Sequence, residues 1–310
     1  VTILMSDLRG FTALIADIEP KQAIAFMNRY LGKMIDVLTD HRAVIDEIMG
    51  DGILAFFGAP EAQQDHPERA VACALQMQVA MDELNSENEI HGFPHLEMGI
   101  AVNTGNVVVG NIGSEKRTKY GLLGAEVNFT GRTETFSVGG QVLISPSTYS
   151  RTQDFVEVGG TMEVQMKGVP GITTLYDIQG IRGPYDIRLR EKERNLRPLP
   201  EPIAAQIYRL SHKKLTGEMG SARITQISET EAVVRSEMEL IEWDDVRLHL
   251  ELEKIPATAG KIYAKVMSVK PSGEGLWEAH LHFTSMPSQL YRFFQEFLGK
   301  DKASDMLRDA

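Results

Sequence analysis

The first 113 residues set apolar runs and amphipathic stretches in an order that sharply constrains the fold. VTILMSDL (1–8) is an apolar run closed by a carboxylate, the pattern of a buried strand. PKQAIAFMNRYLGKMIDVLTDH (20–41) carries apolar residues at helical spacing, with Pro20 at its start. RAVIDEIMGDGILAFFGAP (42–60) reads as two short strands joined by a hairpin turn at Met49-Gly50-Asp51-Gly52. HPERAVACALQMQVAMDELNSE (66–87) is a second long amphipathic helix, and HLEMGIAVNTGNVVVGNIG (95–113) gives two strands around Asn103-Thr104-Gly105. The order β-α-β-β-α-β is that of a ferredoxin-like fold. AEVNFTGRTETF (125–136) follows as a short helix, and QVLISPSTYSRT (141–152) as a strand and a turn.

Beyond Gly183 the character changes. IRLREKERNLRPLPEP (187–202) is dense in charge and then in proline, which predicts a connector, helical at first and extended at its end. From Ile203 the chain is mostly alternating apolar and polar residues, in GSARITQISETEAVVRSEMEL, DDVRLHLELEK, KIYAKVMSVKP and LWEAHLHFTSM. These strands predict a small antiparallel barrel or sandwich with one face in water. SQLYRFFQEFLGK (288–300) predicts a closing amphipathic helix. The fold class is therefore α+β, with domains at 1–183 and 203–310 and a linker at 184–202.

Two aspartates, Asp7 and Asp51, each stand at the edge of an apolar run. Paired carboxylates held on rigid strands are what two-metal phosphoryl transfer needs. Asn128 and Arg132, four residues apart, would share one face of a helix. Gly10-Phe11-Thr12, directly after the first strand, offers backbone N–H groups that would cradle phosphate.

The segments SDLRGFT, IDEIMGDGILAFFG and KYGLLGAEVNFTGR together resemble the catalytic domain of the class III nucleotidyl cyclases, over about Val1 to Ile181. The resemblance implies that Asp7, Asp51 and the backbone of Leu8 hold two Mg²⁺ or Mn²⁺ ions per active site. It implies that Asn128 orients the ribose, Arg132 stabilises charge on the α-phosphoryl group, and Lys167 binds the triphosphate, with Arg117 adding charge nearby. Glu47 and Gly121 fall on the positions that read the base. A carboxylate can accept from guanine N1–H and N2–H₂, and adenine offers no such pair. The expected reaction is GTP to 3′,5′-cyclic GMP and pyrophosphate. The alternatives are an adenylate cyclase with an unusual base pocket and a non-catalytic nucleotide-binding regulatory module. The family implies a homodimer with sites at its interface. Asp7, Asp51 and Glu47 are expected from one subunit, and Gly121, Asn128, Arg132 and Lys167 from the other. One departure stands beside the catalytic helix: Gly124-Ala125-Glu126-Val127-Asn128 where many relatives read GDTVN.

The C-terminal strand order resembles a PilZ-type β-barrel, a nucleotide-second-messenger module. Arg190 and Arg194 match that family's RxxxR arm, whereas its [DN]xSxxG turn is matched only at Ser228, with Gln226 and Glu231 at the other positions. A cyclic-nucleotide ligand and a protein-docking role both stay open for this domain.

At 43% hydrophobic and 24% charged, the 310 residues can bury a proper core. A formal net charge of −11 argues against a general nucleic-acid binder. Cys73 is the only cysteine and lies in an apolar helical pattern, which predicts a buried thiol and a reducing, cytoplasmic setting. No run of 18 apolar residues offers a membrane span. Because the chain opens on Val1 inside a strand, upstream sequence is expected in the full-length protein, including a sensory or membrane segment.

Overall fold

The computed structural model describes residues 1–11, 19–90, 96–190, 196–211, 214–250, 261–273, 275–287, 290, 293, 294 and 298. The chain divides into two units, one of Val1–Arg9 and Ile18–Arg190, the other of Gly10–Asp17 and Glu191–Ala310.

In the first unit, β1 (Thr2–Arg9), α1 (Pro20–Asp40), β2 (Val44–Met49), β3 (Gly52–Phe57), α2 (His66–Ile90) and β4 (Glu97–Thr104) follow the expected order. Their strands lie β4-β1-β3-β2 and pair antiparallel throughout, the ferredoxin-like arrangement. A hairpin, β5 (Val108–Ser114) and β6 (Arg117–Leu123), leads into α3 (Ala125–Phe136). The sheet is extended to eight strands by β7 (Val142–Ile144), which pairs parallel to β4, and by β8 (Val156–Val164), β9 (Thr173–Ile181) and β10 (Ile187–Arg188).

The helix α1 forms with apolar residues recurring at three and four, whereas α2, expected to be amphipathic, is buried on all sides over Ala70–Leu75. Phe26, Tyr30, Met34, Val37 and Leu38 bury one face of α1, whose first turn accommodates Pro20. Cys73, in the buried stretch Ala70–Leu75 of α2, is fully enclosed, and burial pushes its thiol well up. On the sheet, Ile3, Leu54, Phe56 and Leu122 form one cluster that seats the β5–β6 hairpin over β1 and β3. No helix among the described residues is long and apolar enough to cross a membrane.

Two local expectations are corrected. Residues 146–152 are a helix, α4 (Pro146–Thr152), not a turn. Ser145 caps it, accepting from the Thr148 N–H at 3.2 Å, with Pro146 at the first helical position. In the expected connector, Arg197–Pro202 already belong to the first barrel strand, β11 (Arg197–Ser211). Its ladder to the next strand is broken between Pro198 and Ile203, where the proline-rich stretch cannot supply regular N–H donors.

The second unit is a closed six-stranded barrel, in the order β11, β12 (Lys214–Ile227), β13 (Glu231–Ser236), β16 (Trp277–Ser285), β15 (Lys261–Pro271), β14 (Asp245–Leu250). Closure leaves no edge strand. Alternate residues such as Val246, Leu248, Val234, Leu281 and Val266 fill the inside. Of the expected closing helix, Leu290, Phe293, Phe294 and Leu298 are described; Leu290 and Phe294 are buried in the barrel core, and Phe293 and Leu298 pack against it. At the position of the PilZ glycine, the Glu231 carboxylate is buried beside His280 Nε2 at 3.2 Å, and its N–H donates to Ser228 Oγ at 2.9 Å. Burial raises its pKa, but hydrogen bonds from His280 and His282 outweigh this and hold it at about 2. Arg194 lies outside the described residues; Arg190 is exposed.

Candidate active site

Asp7 lies near the end of β1, opposite Gly99 of β4, and Asp51 occupies the β2–β3 turn beside Gly50, whose φ of 67° suits glycine. A Cβ on Gly52 would sit 3.5 Å from Asp7 Oδ1, so the Asp7 carboxylate reaches the backbone next to Asp51. The buried Tyr30 hydroxyl donates to the Asp51 carbonyl at 3.1 Å. Its pKa is pushed up by burial and then by the negative charge of Asp51 and, more weakly, of Asp7. Carboxylates at the end of β1 and in the β2–β3 turn are the hard oxygen donors that a divalent cation takes. Leu8 is buried and paired with Met98; Gly10 has φ 67°, Phe11 is buried, and Thr12 lies outside the described residues.

Arg9, two residues on, links β1 to α3. Its Nη2 donates to Glu134 Oε1 at 2.5 Å, to the Glu134 carbonyl at 3.0 Å and to Ser137 Oγ at 2.6 Å. A Cβ on Gly99 would meet that Nη2 at 2.0 Å, so glycine leaves the space the guanidinium fills.

On α3, Thr130, Thr133 and Glu134 are buried, while Asn128 is exposed and Arg132 half-buried on the opposite face. Asn128 and Arg132 thus share the more exposed face of α3. Arg132 lies beside Gly168: a Cβ there would sit 3.5 Å from Arg132 Nη1. Gly168 directly follows Lys167, which is exposed. Arg117 opens β6 at the hairpin tip and is exposed. Glu126, the departure from the family pattern, turns inward. Its Oε2 accepts from Asn103 Nδ2 at 2.8 Å, over Gly105, where a Cβ would be 2.6 Å from Glu126 Cγ.

Glu47 stands on β2 with its side chain about half exposed. Lys119 Nζ, from β6, lies 3.3 Å from Glu47 Oε2 and 3.3 Å from Asp46 Oδ1. Gly121 backs directly onto Asp46. Glu47 and Gly121, the two positions expected to read the base, are therefore joined through Asp46 and Lys119 of a single chain. This corrects the expected split of Glu47 and Gly121 between subunits, and the cause is the β5–β6 hairpin folding over β3 beside β2. Lys119 and Asp46 were not singled out from the sequence. A pairing across 72 residues leaves no local signal, although Asp46 adjoins Glu47.

Residues 1–180 match the family model of the adenylate and guanylate cyclase catalytic domain, more than half of the chain. The chain belongs to that family. It is 51% identical to the guanylyl cyclase Cya2, whose crystal structure superposes with a TM-score of 0.59 over 61% of this chain and 96% of that one. It is 31% identical to the adenylyl cyclase CyaB from P. aeruginosa, at a TM-score of 0.56 over 58% and 94% of the two chains. Adenylate cyclase 1 of Rhizobium meliloti (strain 1021) is 27% identical over 183 residues, 58% of this chain but 28% of that protein. The chain thus spans under a third of that relative. Nucleotidyl cyclisation is the family's chemistry, and relatives of both substrate types are present.

Proposed function

We propose that this chain is a guanylate cyclase, converting GTP to 3′,5′-cyclic GMP and pyrophosphate. The observation that carries the reading is Glu47, an acceptor-only carboxylate steered by Lys119 beside the side-chain-free Gly121. Guanine presents N1–H and N2–H₂ to such a group; adenine would leave it facing a lone pair. With the base covering Glu47, a polar mismatch of that kind would discriminate by up to about 10⁴-fold. The 51% identity to a guanylyl cyclase points the same way.

Asp7, Asp51 and the Leu8 carbonyl would hold the divalent cations. When bound, these lower the pKa of the ribose 3′-hydroxyl and neutralise charge on the leaving pyrophosphate. Asn128 positions the ribose so that its 3′-oxygen lies in line with the α-phosphorus. Arg132, always charged and bidentate, offsets the charge that builds on the α-phosphoryl oxygens. Lys167 holds the β- and γ-phosphates.

Asn128 is exposed and Arg132 half-buried on α3, open to a second copy, and a complete site would combine two chains. In that homodimer Asp7 and Asp51 come from one subunit, and Glu47, Gly121, Asn128, Arg132 and Lys167 from the other. Val108 and Leu123 on the hairpin, 68% and 63% exposed, supply apolar surface for such an interface. The test is Glu47→Lys. Loss of at least about 100-fold in kcat/KM for GTP, with ATP unaffected or improved, is expected. An unchanged preference would make Glu47 a bystander.

A further inference from the structure

A base pocket with glycine at position 121 leaves a space, and a neighbour occupies it. An ideal Cβ on Gly121 would sit 2.3 Å from Asp46 Oδ1 and 3.3 Å from Asp46 Cγ, then 3.4 Å from Lys119 Cε. The first distance is an overlap; the last is ordinary contact. Asp46 has little freedom to withdraw, because its side chain is 5% exposed and its Oδ1 lies 3.3 Å from Lys119 Nζ.

The backbone explains why Asp46 points there. β2 pairs Ile45 with Ala55 and Glu47 with Leu54, so Asp46 is the extra residue of a β-bulge. In an unbroken strand, residues 46 and 47 would face opposite sides of the sheet. The bulge re-aims the strand so that both carboxylates reach Lys119.

We propose that Asp46 is a specificity-determining residue of this pocket: its carboxylate fills the place a side chain at position 121 would take and anchors the lysine that steers Glu47. The inference rests on the reading of Glu47 and Gly121 as the base pocket. Positions 46 and 121 are then locked together. Position 121 cannot regain a side chain that reads adenine while Asp46 stands, so a change to ATP through Glu47→Lys and Gly121→Asp requires Asp46 to be trimmed as well.

A double-mutant cycle on the whole chain tests this, with Gly121→Ala, Asp46→Ala and the pair. kcat and KM are measured for GTP and ATP, with thermal midpoints alongside. Gly121→Ala alone is expected to lose about tenfold or more in kcat/KM, and under about threefold when Asp46 is already Ala. Asp46→Ala, which creates no overlap, is expected to move the GTP:ATP ratio of kcat/KM about tenfold toward ATP, and Asp46→Asn to move it less. The same loss from Gly121→Ala in both backgrounds would overturn the proposal. So would an Asp46→Ala variant that slows both nucleotides alike and keeps their ratio within about twofold. If Gly121→Ala does not fold, the Asp46→Ala ratio decides alone. If turnover is below detection, the ratios are read from equilibrium binding of GTP and ATP. Should the unmutated protein prefer ATP, the guanylate reading fails by itself, while the cycle run with ATP still reports whether positions 46 and 121 are coupled.

Discussion

Removing the Arg9 guanidinium tests how the strand that carries Asp7 is joined to the helix that carries Asn128 and Arg132. The Arg9 and Glu134 side chains are 12% and 9% exposed, and the shortest contact between them is 2.5 Å. Breaking a buried pair by deleting one partner costs about 3–5 kcal/mol, because the remaining charge loses its counter-ion in a low dielectric. For a unit of this size, each kcal/mol moves the thermal midpoint by about 2–4 °C, so Arg9→Met should lower it by roughly 6–20 °C. Arg9→Met combined with Glu134→Leu removes both charges and should recover most of that loss, a coupling of about 3 kcal/mol. Calorimetry and urea unfolding of the four proteins give the cycle. A cost below about 1 kcal/mol for Arg9→Met, or a double variant as unstable as the sum of the singles, would refute this account of the β1–α3 junction.

Arg132→Ala should reduce kcat by about 10²–10³ with a smaller change in KM, since its charge matters most in the transition state; steady-state rates decide it. Mixing inactive Asp51→Ala and Arg132→Ala proteins should restore up to about a quarter of the activity by forming one intact site per heterodimer, and no recovery would count against a site shared between chains. Lys119→Met should cost about 1–3 kcal/mol of stability, because it leaves the buried Asp46 carboxylate without its cation, and should raise KM for GTP several-fold as Glu47 loses its anchor; thermal unfolding and steady-state rates check both. Glu231 has a folded-state pKa of about 2 against an ordinary 4.5, so it stabilises the barrel above pH 4.5 and loses that contribution as pH falls toward 2. The acid-unfolding midpoint should accordingly be less steep in pH for Glu231→Gln, by up to about 3 kcal/mol over that interval.

Much of the first unit was legible because its signals are local. The apolar run ending at Asp7, the Met49–Gly52 turn, the periodicity of α1 and the long alanine-rich apolar stretch of α2 each specify one element, and α3 occupies the twelve residues read for it. The barrel strands alternate cleanly, and β15 coincides with its predicted run. α4 was hidden because Ser145-Pro146 also opens turns, although a serine cap followed by proline was available as a helix signal. β8 was missed because Gly159 and Gly160 and two register shifts break its alternation. The proline-rich start of β11 reads as a linker since proline cannot serve a regular ladder.

At the candidate site, residue types were legible but their company was not. The Asp7 carboxylate lies against Gly52, the residue after Asp51, and Arg132 lies against Gly168, the residue after Lys167. Lys119, Asp46 and the fold-back that unites Glu47 with Gly121 depend on a hairpin seated by Leu122 and Phe56, and no local pattern records that packing.

The most direct test of the account is product identification from GTP and from ATP, with Mg²⁺ and with Mn²⁺, by this chain and by Asp51→Ala. Cyclic GMP and stoichiometric pyrophosphate from GTP, with ATP turned over far more slowly and no product from Asp51→Ala, is the predicted result. Cyclic AMP formed faster than cyclic GMP would contradict it.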